Sequence, residues 1–274
     1  MDKNAKIISI INMKGGVGKT TLSVGLSSYL SEFSNKKVLL IDSDPQFNAT
    51  QSFIEPKDYY KNYYEESKTI FKLFEPQTNL SQSDTPKKED LIISLNKNLD
   101  FLCGDLKLVL VNKSSDYQLV KKLKKFISDN ELRKKYDYIF IDCPPTLTVY
   151  TDSALMCSDY YLIPNKIDRY SSIGITSLQK AVNSLISDEE LSLKCLGLIY
   201  TMVNNTLTNK QKEVKKEIEE NKDIENIYIF KSTLSEVRDL QVGKRGPIAT
   251  KYKISKNDIK DIVSEIENLL EKEV

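Results

Sequence analysis

A glycine-rich stretch near the start of the chain restricts the fold more than any other feature. Residues 13–21 read MKGGVGKTT. They follow an apolar run at residues 7–11 and precede residues 22–30, whose apolar side chains have helical spacing. Strand, glycine-rich loop and helix in this order form the context of a phosphate-binding loop. Backbone N–H groups and the positive end of the helix dipole then face the phosphates.

Single residues of this loop have predicted roles in binding ATP and Mg²⁺. We expect Lys19 to reach the β- and γ-phosphates and the hydroxyl of Thr20 to ligate Mg²⁺. The predicted nucleotide-binding residues of the loop are Lys14, Gly15, Gly16, Val17, Gly18, Lys19, Thr20 and Thr21.

The loop departs from the ordinary phosphate-binding pattern in one respect. An ordinary loop has a glycine five residues before Gly18, where this chain has Met13, and here a second lysine, Lys14, precedes the glycines. The string KGGxGKT resembles the deviant Walker A motif of the ParA/MinD/nitrogenase-iron-protein ATPases. That resemblance implies that Lys14 reaches across a dimer to the nucleotide held by the partner subunit. The alternative is a chance lysine in an ordinary nucleotide loop.

A pair of aspartates follows the second predicted strand, residues 37–41. Asp42 and Asp44 would lie at the carboxyl end of a parallel sheet, where such sheets bind ligands. Carboxylates there can hold Mg²⁺ through water or orient an attacking water, although Asp and Pro are also common turn residues. Residues 41–50 read IDSDPQFNAT, which resembles the second ATPase motif of ParA proteins. The resemblance implies that Asp44 is needed for hydrolysis, and it is broken at Phe47, where the family usually has glycine.

A third acidic residue closes the central predicted strand, residues 136–142. Asp142 is followed by Cys-Pro-Pro, and this string resembles the Walker B motif of the same family. An aspartate there binds Mg²⁺ through a water molecule; a helix N-cap is the alternative reading. The predicted metal-binding residues are therefore Thr20, Asp42 and Asp142.

The remaining pattern alternates apolar strands with helical segments. Further strands are predicted at residues 91–94, 99–102, 160–164, 196–202 and 227–230, and helices at residues 117–128, 171–186, 208–221 and 255–273, the last with Ser255 as N-cap. Met202 and Asn204 are at the exit of the strand predicted at residues 196–202, and the resemblance implies, by position alone, that they contact adenine. The predicted fold class is α/β, a mostly parallel twisted sheet flanked by helices on both faces, as in P-loop NTPases of the deviant Walker A type.

Residues 1–274 are expected to form a single ATPase domain with one insertion. The predicted insertion spans about residues 53–90 and reads as irregular. It contains a tyrosine cluster, for which an amphipathic surface patch is the favoured interpretation and stacking on bases the alternative. The cluster consists of Tyr59, Tyr60, Tyr63 and Tyr64.

Composition excludes several classes of site. The chain has no histidine, so histidine triads, bases and metal ligands are excluded, whereas phosphoryl transfer needs none of them. Four isolated cysteines argue against a zinc site or a disulfide framework and for buried small side chains. The 40 basic and 39 acidic residues leave nucleic-acid binding open. No apolar run is long enough to span a bilayer, and the short segment before the first strand leads us to expect neither a signal peptide nor an N-terminal helix-turn-helix.

The leading hypothesis is a ParA/Soj-type ATPase for plasmid or chromosome partition, located in the cytoplasm on the nucleoid. The resemblance implies an ATP-bound homodimer that binds DNA nonspecifically and a ParB-like partner that stimulates slow hydrolysis. Binding to DNA phosphates should depend steeply on salt. The predicted DNA contacts are Lys210, Lys212, Lys215, Lys216, Arg238, Lys244 and Arg245, and a solvated helix face is the alternative for each.

Three alternatives share the nucleotide motifs. A MinD-like membrane switch needs a basic amphipathic C-terminal helix, whereas this tail has an acidic face and is expected to pack on the domain. An electron-transfer ATPase needs cluster-binding cysteines, and neither Cys103 nor Cys143 lies in the sequence context of that subgroup. A ParA relative that positions protein cargo shares the whole mechanism and stays open.

Overall fold

The computed structural model describes residues 4–75, 85–111, 117–204 and 206–272. Its strands are β1 (Lys6–Ile10), β2 (Val38–Asp42), β3 (Ile92–Asn96), β4 (Leu99–Leu102), β5 (Tyr138–Asp142), β6 (Tyr160–Lys166), β7 (Lys194–Val203) and β8 (Leu234–Ser235). They form one sheet in the order β3-β4-β2-β5-β1-β6-β7-β8. All neighbours are parallel except β3, which pairs antiparallel with β4.

Helices follow most of the strands. They are α1 (Lys19–Phe33), α2 (Asn48–Phe53), α3 (Pro56–Tyr59), α4 (Phe71–Phe74), α5 (Lys88–Leu91), α6 (Leu108–Val111), α7 (Lys122–Asp129), α8 (Leu132–Lys135), α9 (Val149–Cys157), α10 (Ser171–Glu189), α11 (Asn209–Glu219), α12 (Arg238–Gln241) and α13 (Lys253–Glu271). A π-helical turn spans Tyr60–Tyr64, and 3₁₀ turns span Tyr117–Lys121 and Ala249–Lys251. The predicted α/β class with helices on both faces is confirmed.

The central strands are mostly apolar because helices cover both sides of the sheet. Every residue of β2 and β5 is buried. Alternate side chains point to opposite faces, so Ile139 joins one core with α7, α9 and α10, while Phe140 joins the other with α1 and α13.

The register of the sheet places the acidic residues of two motifs side by side. β5 lies between β1 and β2, and Asp142 is paired with Ile10 on one side and with Asp42 on the other. The loop that follows β1 therefore lies beside both carboxylates at the carboxyl end of the sheet. Three of the four cysteines are buried and Cys195 is half-buried, all as free thiols, as expected.

Two predictions of secondary structure near the C-terminus are wrong, one for a strand and one for the start of a helix. Residues 227–230 form only a single bridge, from Ile229 to Leu198, and the last strand is β8. The closing helix begins at Lys253, so Ser255 lies inside its first turn and its hydroxyl donates to the carbonyl of Ala249 at 2.7 Å.

The insertion is more regular than predicted where the structure describes it. Residues 53–75 and 85–90 contain short helices instead of irregular chain, while residues 76–84 lie outside the described part. The predicted surface position of the tyrosines fails at Tyr59, which is only 8% exposed, whereas Tyr60 is 56% exposed.

Helix α13 packs on the domain, as expected from its sequence. Ile259 and Ile266 are buried against α1. An acidic side chain of α13 also binds the backbone of the segment that precedes the helix. Glu265 accepts hydrogen bonds from the N–H groups of Lys231 and Ser232 at 2.8 and 2.9 Å. Within the described residues, no helix is long and apolar enough to cross a membrane.

The contact between α1 and α13 yields a test of the packing. A Cβ at Gly25 would lie 2.8 Å from Cδ1 of Ile259, whereas a Cβ at Gly174, in α10, would meet nothing within 4 Å. Gly174→Ala should raise the free energy of unfolding by about 0.5–1 kcal/mol through helix propensity. Gly25→Ala should lower it by about 1 kcal/mol, because Ile259 must shift. Chemical denaturation measures both, and equal effects would contradict the close approach of the two helices.

Candidate active site

The loop between β1 and α1 has the backbone geometry that its glycines permit. Gly16 and Gly18 have φ angles of +69° and +82°, in the left-handed region that favours glycine. Gly18 is also the N-cap of α1, so the loop leads directly into the helix N-terminus. Such a terminus presents free N–H groups and a partial positive charge to an anion.

Lys19 lies within the curve of this loop. Its side chain is buried, and Nζ donates to the carbonyls of Asn12 and Lys14 at 3.1 and 3.0 Å. Burial lowers the pKa of Lys19, and the nearby carboxylates of Asp142 and Asp44 oppose that shift. The ammonium group is therefore held at the base of the loop, close to two carboxylates.

Asp142 connects the end of the central strand to the first turn of α1. Its Oδ2 accepts from the Thr20 hydroxyl at 2.7 Å, and its Oδ1 accepts from the Ser23 hydroxyl at 2.9 Å. Burial raises the pKa of Asp142 to about 6, while the two hydroxyl hydrogen bonds lower it.

The pairing of Thr20 with Asp142 suits Mg²⁺. A hydroxyl and a carboxylate are hard oxygen donors of the kind that Mg²⁺ prefers. No cluster of three or more acidic or cysteine side chains that could hold a metal occurs in the part of the chain described. Mg²⁺ typically binds through one or two protein groups plus waters and substrate phosphates, so this small donor set fits that ion.

Asp42 differs from Asp142 although the two are neighbours in the sheet. Its Oδ2 accepts from the N–H and the hydroxyl of Thr50 at 2.8 and 2.7 Å, and its Oδ1 accepts from the N–H of Asp44 at 3.3 Å. Burial raises the pKa of Asp42, and Asp142 raises it further. Neither aspartate is among the described residues that line the cleft, but Asp142 is hydrogen-bonded to Thr20, which does line it, whereas the carboxylate of Asp42 orders the loop of residues 43–50. The predicted metal-binding role of Asp42 stays a prediction.

Asp44 lies in the cleft beside the phosphate loop. Its Oδ1 accepts from the N–H of Gln46 at 2.9 Å, which fixes the carboxylate at the start of the turn. Burial raises the pKa of Asp44, and the positive charge of Lys19 lowers it. A carboxylate in this position can orient a water molecule toward a phosphate bound by the loop.

Lys14 points away from the cleft of its own chain. Its Nζ contacts Oδ2 of Asp168, in the loop between β6 and α10, and its side chain is 33% exposed. Asp168 also accepts from the N–H of Tyr170 at 3.1 Å, so its carboxylate is already oriented. The two lysines of the loop therefore have opposite placements, Lys19 inside the loop and Lys14 on the surface.

The cleft has a volume of about 680 Å³ and a second wall from the C-terminal part of the chain. That wall consists of residues 234–237 with Leu240, Gln241 and Pro247. Met202 lines the cleft as predicted by position, but Asn204 is not among the lining residues. This wall was not predicted from the sequence, because β8 has only two residues and gives no strand pattern.

Two side chains that support the loop were also missed. Asn12 accepts from the N–H of Lys14 at 2.9 Å and donates to the carbonyl of Pro164 at 2.8 Å. Thr201, in β7, donates to the carbonyl of Val17 at 2.7 Å. The only sequence signals are a polar residue at the end of an apolar run and a threonine within a buried strand.

The predicted DNA contacts lie on two separate elements. On α11, Lys210 and Lys212 are exposed, while Lys215 and Lys216 lie 3.6 and 3.7 Å from Glu219 and Glu220. The second element comprises α12 and the turn after it. There Arg238 and Arg245 are exposed, and Lys244 lies 3.6 Å from Asp239.

Comparison with known proteins agrees with this geometry. A family model described as an AAA domain matches residues 5–195. The sporulation initiation inhibitor protein Soj of Bacillus subtilis is 31% identical over 204 residues, 73% of this chain and 73% of that protein. The chromosome-partitioning ATPase Soj of Treponema pallidum is 28% identical over 78% of this chain and 77% of its own length.

Solved structures show the same architecture. A putative plasmid partition protein from Borrelia burgdorferi, bound to AMPPNP, is 26% identical and aligns with a TM-score of 0.73 over 99% of this chain and 100% of its own. A complex of Cyanothece McdA with ATP aligns with a TM-score of 0.78 at 22% identity, covering 98% of this chain and 97% of that one. The similarity to McdA shows a shared fold and nothing more.

Removal of the Lys19 charge should strongly weaken nucleotide binding. Lys19→Ala should weaken ATP binding about 100-fold, because charge-assisted hydrogen bonds to phosphate are lost. Titration calorimetry measures the affinity, and Lys180→Ala, on the exposed side of α10, is the matched lysine control. Equal affinities for wild type and Lys19→Ala would disprove the loop assignment.

The hydrogen bond from Thr201 should position the loop. Thr201→Val leaves the buried carbonyl of Val17 without its partner, which costs about 1 kcal/mol or more, so the affinity for ATP should fall about five- to tenfold. Thr201→Ser keeps the hydroxyl and should bind as the wild type does. If both variants bind ATP normally, β7 does not support the loop through this bond.

Proposed function

Since this chain belongs to the ParA/Soj family of partition ATPases, we propose that it is an ATP-driven dimerisation switch that segregates plasmid or chromosomal DNA. The observation that carries the proposal is the opposite placement of the two loop lysines. Lys19 lies inside the loop, where it can bind the chain's own nucleotide, and Lys14 lies outside its own cleft. A lysine outside its own cleft can contact a nucleotide that is bound by another copy of the chain.

The phosphate site would act by positioning and electrostatics. Backbone N–H groups of the loop and Lys19 bind the phosphates of ATP, and Thr20 and Asp142 hold Mg²⁺. When bound, that ion neutralises charge on the β- and γ-phosphate oxygens. Asp44 orients the water that attacks the γ-phosphorus, and the products are ADP and phosphate. No histidine is required at any step.

Dimerisation would replace the contact between Lys14 and Asp168. Both side chains of this pair are about one-third exposed, so solvent screens their attraction and the contact is weak. The phosphates of a partner's ATP carry more negative charge than one carboxylate. The Lys14 ammonium would therefore exchange Asp168 for the partner's nucleotide, which makes the dimer depend on ATP.

The dimer would bind DNA through phosphate contacts on both copies. Lys210, Lys212, Arg238 and Arg245 have no acidic partner among the described residues, so their charges are available. Lys215, Lys216 and Lys244 already face carboxylates, which weakens them as DNA contacts. Two copies double the number of available groups, so a modest surface on one copy suffices. The chain would act in the cytoplasm, associated with the nucleoid. A ParB-like centromere-binding protein would stimulate hydrolysis, and hydrolysis would release the DNA.

One binding experiment tests this function. Retention of the wild-type chain on random-sequence duplex DNA and on anionic liposomes is measured with ATP and with ADP. We expect retention on DNA with ATP alone, decreasing about 10³-fold between 50 and 200 mM salt if the dimer contacts six or more phosphates. Lys14→Ala should lose this retention while still binding ATP, and Lys180→Ala should behave as the wild type does.

Other outcomes of the experiment would contradict the proposal in different ways. ATP-dependent retention on liposomes without DNA binding would identify a membrane switch. ATP-dependent dimerisation without retention on either support would indicate that the cargo is a protein. If Lys14→Ala retained DNA normally, the proposed role of Lys14 in the dimer would be wrong.

A further inference from the structure

Phe47 has a backbone conformation that is unusual for its residue type. Its φ and ψ angles are +41° and +39°, in the left-handed region. A residue with a Cβ enters this region at an energetic cost and remains there only when its surroundings hold it. Glycine adopts the conformation freely, which gives a physical reason for the glycine that the family usually has at this position.

Phe47 belongs to the turn that carries Asp44. Its N–H donates to the carbonyl of Asp44 at 2.8 Å, and its own carbonyl accepts from the N–H of Gln51 at 3.1 Å. Phe47 is also the N-cap of α2. The conformation of Phe47 therefore determines how the turn at Asp44 joins the following helix.

The ring of Phe47 is held by a tyrosine of the insertion. Phe47 and Tyr59 are stacked, with ring centroids 5.2 Å apart and an angle of 16° between the ring planes. Tyr59 is buried, and its hydroxyl donates to the carbonyl of Gly104 at 2.9 Å. Tyr59 thus joins Phe47 to the segment after β4.

Gly104 packs tightly against the turn that carries Asp44 and against Asp42. A Cβ at this position would lie 2.8 Å from Cγ of Asp42 and 2.9 Å from Cβ of Phe47, so only glycine allows the approach. The N–H of Gly104 donates to the Thr50 hydroxyl at 2.8 Å, and that hydroxyl donates to Asp42. The turn that carries Asp44 is therefore fixed from both ends.

We propose that Phe47 is a positioning residue for ATP hydrolysis and that the insertion supplies its support through Tyr59. The stack holds Phe47 in the left-handed conformation, and this conformation fixes the carboxylate of Asp44 beside Lys19. Glycine at position 47 would permit the same turn but also many others. The inference rests on the proposed role of Asp44 in hydrolysis, because Phe47 acts only through that carboxylate.

The proposal distinguishes the reaction step from substrate binding. Phe47 and Tyr59 are not among the residues that line the cleft within the described part of the chain, so ATP affinity should not depend on them. Removal of the stack should lower kcat and leave KM for ATP nearly unchanged. An unfolded, inactive fraction would also lower the apparent kcat without changing KM, so kcat is expressed per ATP-binding site, and the binding stoichiometry from calorimetry supplies that number.

The test is a double-mutant cycle on the stack, measured as steady-state ATP hydrolysis. Phe47→Gly removes the ring and also relieves the backbone cost, so loss of folding is not expected from it. Tyr59→Leu removes the other ring. Each should lower kcat about tenfold or more, because a small displacement of a catalytic group is costly, with KM changing less than about twofold. The double variant should be no slower than the slower single variant, since both remove one stack.

Conservative and control variants isolate the stack. Phe47→Tyr keeps an aromatic ring and should retain wild-type kcat. Tyr60→Leu removes an exposed tyrosine of the same insertion that stacks on Tyr64, and it should also leave kcat unchanged. Calorimetric ATP affinity of every variant reports whether it is folded.

The results separate this inference from the function on which it rests. If Asp44→Asn stops hydrolysis while Phe47→Gly and Tyr59→Leu hydrolyse ATP normally, the positioning role is wrong and the function stands. Multiplicative losses of kcat in the double variant would also overturn it, because the two rings would then act independently. Wild-type turnover in Asp44→Asn would overturn both the role of Asp44 and the inference.

Discussion

The two hydrogen bonds that Asp142 accepts from α1 are the interaction on which the site depends. They join the end of the central strand to the first turn of the helix, through Thr20 at 2.7 Å and Ser23 at 2.9 Å. A buried carboxylate is costly, and hydrogen bonds to a charged group offset about 1.5–3 kcal/mol each. The position of α1 determines the position of the glycine-rich loop, so the placement of Lys19, of the Thr20 hydroxyl and of Lys14 follows from this connection.

The sequence predicts those parts of the site that lie within one continuous segment, because their residue patterns are local. The loop lies between β1 and α1 as its glycines require, and Asp142 lies at the end of β5. The patterns failed where the outcome depends on distant segments. Asp42 and Asp142 both end buried strands, and sequence spacing cannot show that Thr50 and Gly104 enclose Asp42. The family relation is confirmed, whereas the contacts of Phe47 could not be predicted because Tyr59 lies in the segment of residues 53–90, whose sequence has no recognisable pattern.

The charged residues show the same dependence on tertiary contacts. Sequence alone gives seven basic residues as equivalent DNA contacts, but three of them face carboxylates, and the other four face none among the residues that the structure describes. The acidic residues of the last helix were predicted only to disfavour a membrane surface. In the folded chain, Glu265 and Asp258 accept hydrogen bonds from backbone N–H groups of Lys231, Ser232 and Ser235.

These hydrogen bonds connect the last helix to one wall of the cleft. Ser235 and its neighbours form one wall of the cleft, while α13, which holds this wall, contributes no side chain to the lining that the structure describes. The wall held by α13 can move only when these hydrogen bonds open, and local openings of this kind have their own free energy, below that of global unfolding. The mobility of one wall of the cleft is thereby linked to the local stability of a helix that does not line it in the described part of the chain.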